Sequence, residues 1–504
     1  MVKLLRSILF IALIFGAHSA FASTHYISKS MGSDTNNGTS KSTPWAHLPG
    51  MQSCANNCAS YTPVAGDQFI LYGGDTWVAS DLGINFYPWS GTSGNPIYVG
   101  VDKTWFSGSS WTRPIFNCGN TSCTLTGGSV VWVYGNYVTF DNIEITGYKN
   151  TAGAGGAIVG LNQTGDIASN FYIHGWSRDS NTAHMYAISA HVSGSQVFNN
   201  IIDGSDSPNK DFMGGVLHAD QLYNNVIRYV YNGTNGVFNS VHDNLIENNY
   251  VAADGDHCNM MNVQAPMSGT TAYAYNNVIR HAGCSGGVVM FILSNTTCSN
   301  CSTYEFNNIL YDNDISSGGG PGNGTHTPTG IYYDFNNTAQ TEAAPCAGNG
   351  DPLNNTGLAT SDYGNFHCIS SQATLCLTTS AVCNNQGGNL QQTLSAANSA
   401  GYTSSEAYAY FPSASSSPTV GAGTNNSSLC STIASSNAAA GTACKSDTTY
   451  PEYDSVNHVV TMRAANSRPT SGAWDTGAYQ FSGSSSGGGG TSIAPPTNLA
   501  AQVQ

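Results

Sequence analysis

The chain has 504 residues, of which 9% are charged, and 14 basic residues face 29 acidic ones. That balance excludes nucleic acid as a general partner, because backbone binding is driven by Lys and Arg. The 57 glycines and abundant small polar residues resemble a disordered composition, yet 27 tyrosines and 18 phenylalanines supply enough apolar material for a sizeable core.

The first element is a secretory signal. Lys3 and Arg6 form a positive start, Ile8–Phe15 a short apolar core, and Ala20-Phe21-Ala22 a small-residue cleavage pattern before Ser23. The apolar run is too short to be read first as a membrane span, and no later segment has one long enough. With Lys3 and Arg6 removed, 12 basic residues remain against 29 acidic ones, a net charge of −17. The expected location is extracellular or cell-surface associated. Fourteen cysteines fit an oxidising compartment. The close spacings Cys54/Cys58, Cys118/Cys123, Cys298/Cys301 and Cys376/Cys383 favour bridges over zinc, since no second tight pair lies beside Cys298-x-x-Cys301. A staple between Cys258 and Cys284 is also expected.

Residues 50–135 hold Trp77, Trp89, Trp105, Trp111 and Trp132. These rings either cap an exposed core end or stack on sugars. A loose repeat follows, with Phe140-Asp141-Asn142-Ile143, Phe198-Asn199-Asn200-Ile201, Tyr223-Asn224-Asn225-Val226, Asp243-Asn244-Leu245, Tyr275-Asn276-Asn277-Val278, Phe306-Asn307-Asn308-Ile309 and Phe335-Asn336-Asn337. Asn170 fills the missing unit. Each unit reads strand, polar corner, strand, and none has the apolar spacing of a core-facing helix. Stacking such units buries their apolar faces and pairs their backbones in parallel. Asn suits the corner because it tolerates left-handed dihedrals and bonds to backbone. The prediction is an all-β, right-handed parallel β-helix over 23–481, with Asn200, Asn225, Asn277 and Asn308 stacked at one corner. Residues 345–460 depart from the repeat and carry six cysteines, as expected of loop-rich terminal coils packed across one face. Residues 482–504 form a Ser/Gly/Pro-rich flexible tail.

Registering the arcs by their glycines sets Gly215–His218, Gly236–Asn239, His257–Met260 and Gly287–Met290 on consecutive coils. Beside them lie Lys210, Asp211, His218, Asp220, His242, Asp243 and His281, a band of titratable groups along one side. Asp254-Gly255-Asp256-His257 is its densest element. Paired carboxylates could perform acid/base hydrolysis or bind calcium through oxygen. In an elimination, calcium would neutralise a uronate while a base, with Lys210 the nearby lysine, removes the ring proton. The Asp pair also has a plain reading as a turn around Gly255.

The opening Tyr26-Ile27-Ser28, Gly32-Ser33-Asp34-Thr35-Asn36-Asn37-Gly38-Thr39 and Thr43-Pro44-Trp45 resembles that of secreted right-handed β-helix proteins of the pectate-lyase-like superfamily. The close Gly472-Ala473-Trp474-Asp475-Thr476-Gly477-Ala478-Tyr479-Gln480 is similar to that of the bacterial choice-of-anchor β-helix group, with Thr476 and Gln480 in place of Ile and Glu. The Asp254/Asp256 pair is somewhat like the double-Asp element of glycan-hydrolysing β-helices, whose accompanying Asn-Thr-Asp and Arg-Ile-Lys motifs do not occur here. The resemblance implies a lyase or glycoside hydrolase acting on an extracellular polysaccharide, or a non-catalytic adhesin that binds cell-surface glycan.

Overall fold

The computed structural model describes residues 22–482 except 125–127, 152–154, 181–182, 192, 253–257, 266–270, 284–289, 295–301, 313–330, 342–345, 347–359 and 372–381. Residues 1–21 of the expected signal segment and 483–504 of the expected tail therefore lie outside the described residues.

Three rows of strands wind as a right-handed parallel β-solenoid. The third row shows why the sequence stacks. Ile145, Ile173, Ile202, Ile227, Ile246, Ile279 and Leu310 fall opposite one another on successive coils and are all buried. Branched side chains stacked this way fill the interior at one strand spacing per coil. The flanking residues point outward, so each short strand carries one inward anchor. Among the described strands, only the hairpin Glu452–Asp454/Val459–Thr461 is antiparallel.

The corner between the second and third rows is the predicted Asn corner. Asn200, Asn225, Asn244, Asn277, Asn308 and Asn337 form one ladder, each Nδ2 donating to the next Oδ1 at 2.9–3.1 Å. The preceding residues Asn199, Asn224, Asp243, Asn276, Asn307 and Asn336 take left-handed φ of 55–58° and make the turn. Asn142 and Asn170 belong to this turning column and not to the ladder, because Ser169 pairs with Phe198 and Asp141. The ladder position on the Asn170 coil is Phe171, whose N–H donates to Asn200 Oδ1.

Outward rings accompany the corner. Phe198, Tyr223, His242, Tyr275, Phe306 and Phe335 stack at centroid spacings of 4.6–5.3 Å. The C-terminal segment folds back over both flanks of the corner, rather than across one face. Helices Ser427–Ser436 and Ala438–Cys444, tied by the Cys430–Cys444 disulfide, pack with Trp474 on Tyr273, Tyr275, Tyr304, Phe306 and Phe335. Tyr402, Tyr410, Tyr450 and Tyr479 cover Ile201, Val226, Leu245, Val278 and Ile309 on the other flank.

Disulfides join Cys54–Cys58, Cys118–Cys123 and Cys346–Cys368. Cys258 is also bridged, but Cys284 lies outside the described residues, as do Cys298, Cys301 and Cys376. Trp77 is buried in the first coils, as is Trp45, whereas Trp132 points outward with its ring over Gly160.

Candidate functional site

The expected band does not form as one row. Asp254, Asp256 and His257 lie outside the described residues, so the calcium reading that rests on them has no described geometry. Among the described residues, no group of three or more His, Cys, Asp or Glu side chains could hold a metal ion. His242 is a rung of the aromatic stack, its Nδ1 2.6 Å from Asp243 Oδ2. Asp243 turns the Asn corner and accepts from Asn276 and from Thr449 of the C-terminal segment. His281 stands at the far end of the third row, in a left-handed corner beside Asp312 at 3.0 Å. Lys210 lies over the rings of Tyr229 and Tyr250, and Asp211 pairs with Arg178 at 2.9 Å.

The registration behind the band is corrected by the pairing. Gly214 faces Asn232 and Val216 faces Thr234, which sets Gly215 opposite Gly233, three residues before Gly236. Met261, not Met260, faces Met290. A one-residue slip in a strand exchanges the two faces.

His218 and Asp220 lie two residues apart on strand Met213–Tyr223, where the first row bends into the second. Strand Met213–Tyr223 breaks register against Asn232–His242 between Leu217 and Ala219. His218 occupies the break with φ +57, and a bulge of this kind re-aims its side chain. The imidazole lies over Gly236, where an added Cβ would stand 2.2 Å from Nδ1. Nδ1 accepts the Val237 N–H at 2.8 Å. Burial lowers the His218 pKa from its ordinary value of 6.5, so the ring is neutral at pH 7 and carries its proton on Nε2. Asp220 accepts from the Gly194 N–H at 3.1 Å and from the Asn239 amide.

The same edge continues toward the N-terminus. The Tyr134 N–H bonds to Phe86 O, Asn162 to Val133 O and His191 to Leu161 O. Ser189 then pairs with Leu217, just before His218. Tyr87, Tyr134, Asn162 and His191 therefore follow one another on four consecutive coils, spanning about 14 Å at one strand spacing per coil, and the same register continues to Ala219, with His218 one residue before it at the bulge. Tyr87 and Tyr134 are 60% and 46% exposed, with ring centroids 5.5 Å apart. Inward of this edge, Asn262 Nδ2 donates to Asn235 Oδ1, and Asn235 Nδ2 donates to the Tyr186 hydroxyl. Tyr87, Tyr134 and Asn162 escape a reading that starts from the Asn corner. Their signal is local: each follows an inward apolar residue, in Ile84-x-Phe86-Tyr87, Val131-x-Val133-Tyr134 and Val159-x-Leu161-Asn162.

No protein family's sequence profile matches the chain, and no curated protein sequence matches it. Solved structures do. The chain is similar to a GH136 lacto-N-biosidase from Eubacterium ramulus, at 13% identity over 74% of this chain and 68% of that one, with a TM-score of 0.38. It is similar to the pectate lyase Pel9A at 13% identity over 91% and 96%, TM-score 0.44. A PL6 family polysaccharide lyase from Pseudopedobacter saltans matches at 13% identity over 66% and 90%, TM-score 0.38. No residue's role is carried across from these proteins.

Proposed function

We propose that this protein acts on an extracellular polysaccharide held along the outward edge from Tyr87 to His218. The observation that supports this reading is the alignment of Tyr87, Tyr134, Asn162 and His191 on four consecutive coils, with His218 at the bulge of the coil that follows. Exposed aromatic rings offer flat apolar platforms for sugar faces, and amide and imidazole groups beyond them bond hydroxyls. An extended chain lying along the solenoid axis would meet one such group per coil.

The bulge at His218 is the proposed reacting centre. A neutral imidazole with its proton on Nε2 donates to a glycan oxygen without introducing charge. Asp220, two residues further along the strand, is the carboxylate proposed to act with it. The alternative, a glycan-binding protein without turnover, is favoured by one observation: both Asp220 oxygens already accept hydrogen bonds, from Gly194 and Asn239.

A product screen over diverse polysaccharides separates the two, read by ultraviolet absorbance for unsaturated ends and by reducing-end assay, with and without calcium. On a substrate so identified, His218→Ala is expected to lower turnover about 100-fold or more, with thermal unfolding little changed. Full turnover by that variant removes His218 from the chemistry. Saturable binding with no product, lost in Tyr87→Ala/Tyr134→Ala, supports the binding-only alternative.

A further inference from the structure

Two outward aromatic columns run along the second row and stop at the same coil. Tyr273, Tyr304 and Tyr333 stack at 5.7 and 4.6 Å with planes 12° and 10° apart. Tyr275, Phe306 and Phe335 stack beside them at 4.9 and 5.3 Å. On the next coil Tyr333 faces Asp362, and Phe335 faces Gly364. Neither column has a further ring there, and a cavity of about 270 Å³ opens at that point, lined by Tyr333, Phe335, Asp362 and Gly364 and by Gln386 and the start of helix Ser427–Ser436.

The cavity therefore occupies the place that the next rung of the two stacks would fill. Its floor is aromatic, and its walls carry amide, hydroxyl and carboxylate groups, from Gln386, Asn426, Ser428 and Asp362. Asp362 is the one charged residue among those lining it, and its Oδ1 accepts from Asn384 at 2.8 Å. Asn426 precedes the helix without making a side-chain capping bond, which leaves its amide available. A ring-sized space over an aromatic face, with a carboxylate at the rim, matches a saturated ring bearing hydroxyls: its C–H face packs on the aromatic floor, and its O–H groups donate to the carboxylate.

We propose that this cavity is a binding site for a single neutral pyranose, separate from the edge that ends at His218. The aromatic floor selects the ring, and Asp362 disfavours uronic acids by like charge. The site is built where the C-terminal segment meets the coils, so it depends on that segment being docked.

The full chain is titrated with methyl glycosides of glucose, galactose, N-acetylglucosamine and galacturonic acid, followed by saturation-transfer NMR and calorimetry. At least one neutral glycoside is expected to bind saturably, and the galacturonide is not. Affinity is expected to fall at least tenfold in Tyr333→Ala and in Asp362→Ala, and to persist in Tyr333→Phe, which keeps the ring. Binding by none of the neutral glycosides overturns the proposal, as does binding that survives both alanine variants. Binding abolished by His218→Ala assigns the sugar to the other edge and overturns it equally.

Discussion

Asn276 turns the chain at φ +56, and Asn277 beside it points inward with four side-chain hydrogen bonds. Removing the Asn277 amide takes the acceptor from the buried Asn244 N–H and the Nδ2 donor from Val241 O, and breaks the ladder on both sides, while Asn308 Oδ1 keeps the backbone N–H of residue 277. Asn277→Ala is therefore expected to cost about 3 kcal/mol, whereas Asn276→Gly is expected to stay within about 1 kcal/mol, since glycine accepts positive φ. Denaturant midpoints check the contrast, and equal losses would refute this division of labour. The double Asn was legible in the sequence, but the ladder register was not, because Asn142 and Asn170 stand alone before Ile143 and Phe171. Asp334 shows what a pattern search passes over. It is fully buried inside the coils opposite Glu305, and burial raises its carboxyl to about 8. A folded-state pKa above the unfolded value of 3.8 means stability present below pH 4 and lost as pH rises toward 8. Asp166, also raised to about 8 by burial, adds to that slope, while His367, lowered to about 4, contributes its opposite slope below pH 6.5. Between pH 6.5 and 8 the wild-type melting temperature should fall, and Asp334→Asn should flatten the fall by up to about 1.4 kcal/mol per pH unit. An unchanged slope would show that Asp334 is ionised across that range.

At the scale of the strand, the proposed binding edge depends on a single irregularity. Strand Met213–Tyr223 changes register at His218, and the neighbouring strand answers with Gly236 at φ +114. The two features require each other: the left-handed backbone turns the imidazole over the neighbouring strand, and the missing Cβ leaves room for it. Gly236→Ala is expected to cost about 2 kcal/mol through backbone strain and to displace the ring, moving the His218 imidazole resonance and its titration. Gly233→Ala is the control. Its Cβ would strike Met260 O at 2.1 Å, so it should destabilise while leaving the His218 titration in place. An unmoved resonance in Gly236→Ala would show that the bulge does not hold the ring. This irregularity explains why the sequence misjudged which residues lie beside His218 and Asp220. A repeat counted by glycines assumes equal strands, and a bulge adds a residue to one strand without leaving a compositional mark.

Across the whole molecule, the C-terminal segment is the part whose architecture was least legible. Its sequence has no repeat, and its role depends on surface that the coils expose: stacked rings on one flank of the Asn corner and a row of Ile, Val and Leu on the other. Covering both removes a large apolar area from water. Within the segment, the anchor is Arg463, whose two amino groups donate to both oxygens of Asp447 at 2.9–3.0 Å. Its guanidinium also lies within 5.8 Å of the ring centroids of Tyr408, Phe411 and Tyr479. Asp447 is fully buried, and burial raises its carboxyl pKa despite the arginine. Arg463→Ala leaves that carboxylate without its partner, a loss of about 3–5 kcal/mol for a buried pair. The coils have their own core and their own ladder, so the loss should fall on the docking of the segment and not on the solenoid. The expected result is proteolytic cleavage beyond residue 392 and binding of an apolar dye to the uncovered rings, with the β-sheet circular dichroism signal retained. Arg463→Lys, which keeps the charge but not the two-pronged geometry, should fall between the two. Loss of sheet signal together with the segment would show instead that the coils and their cover fold as one cooperative unit.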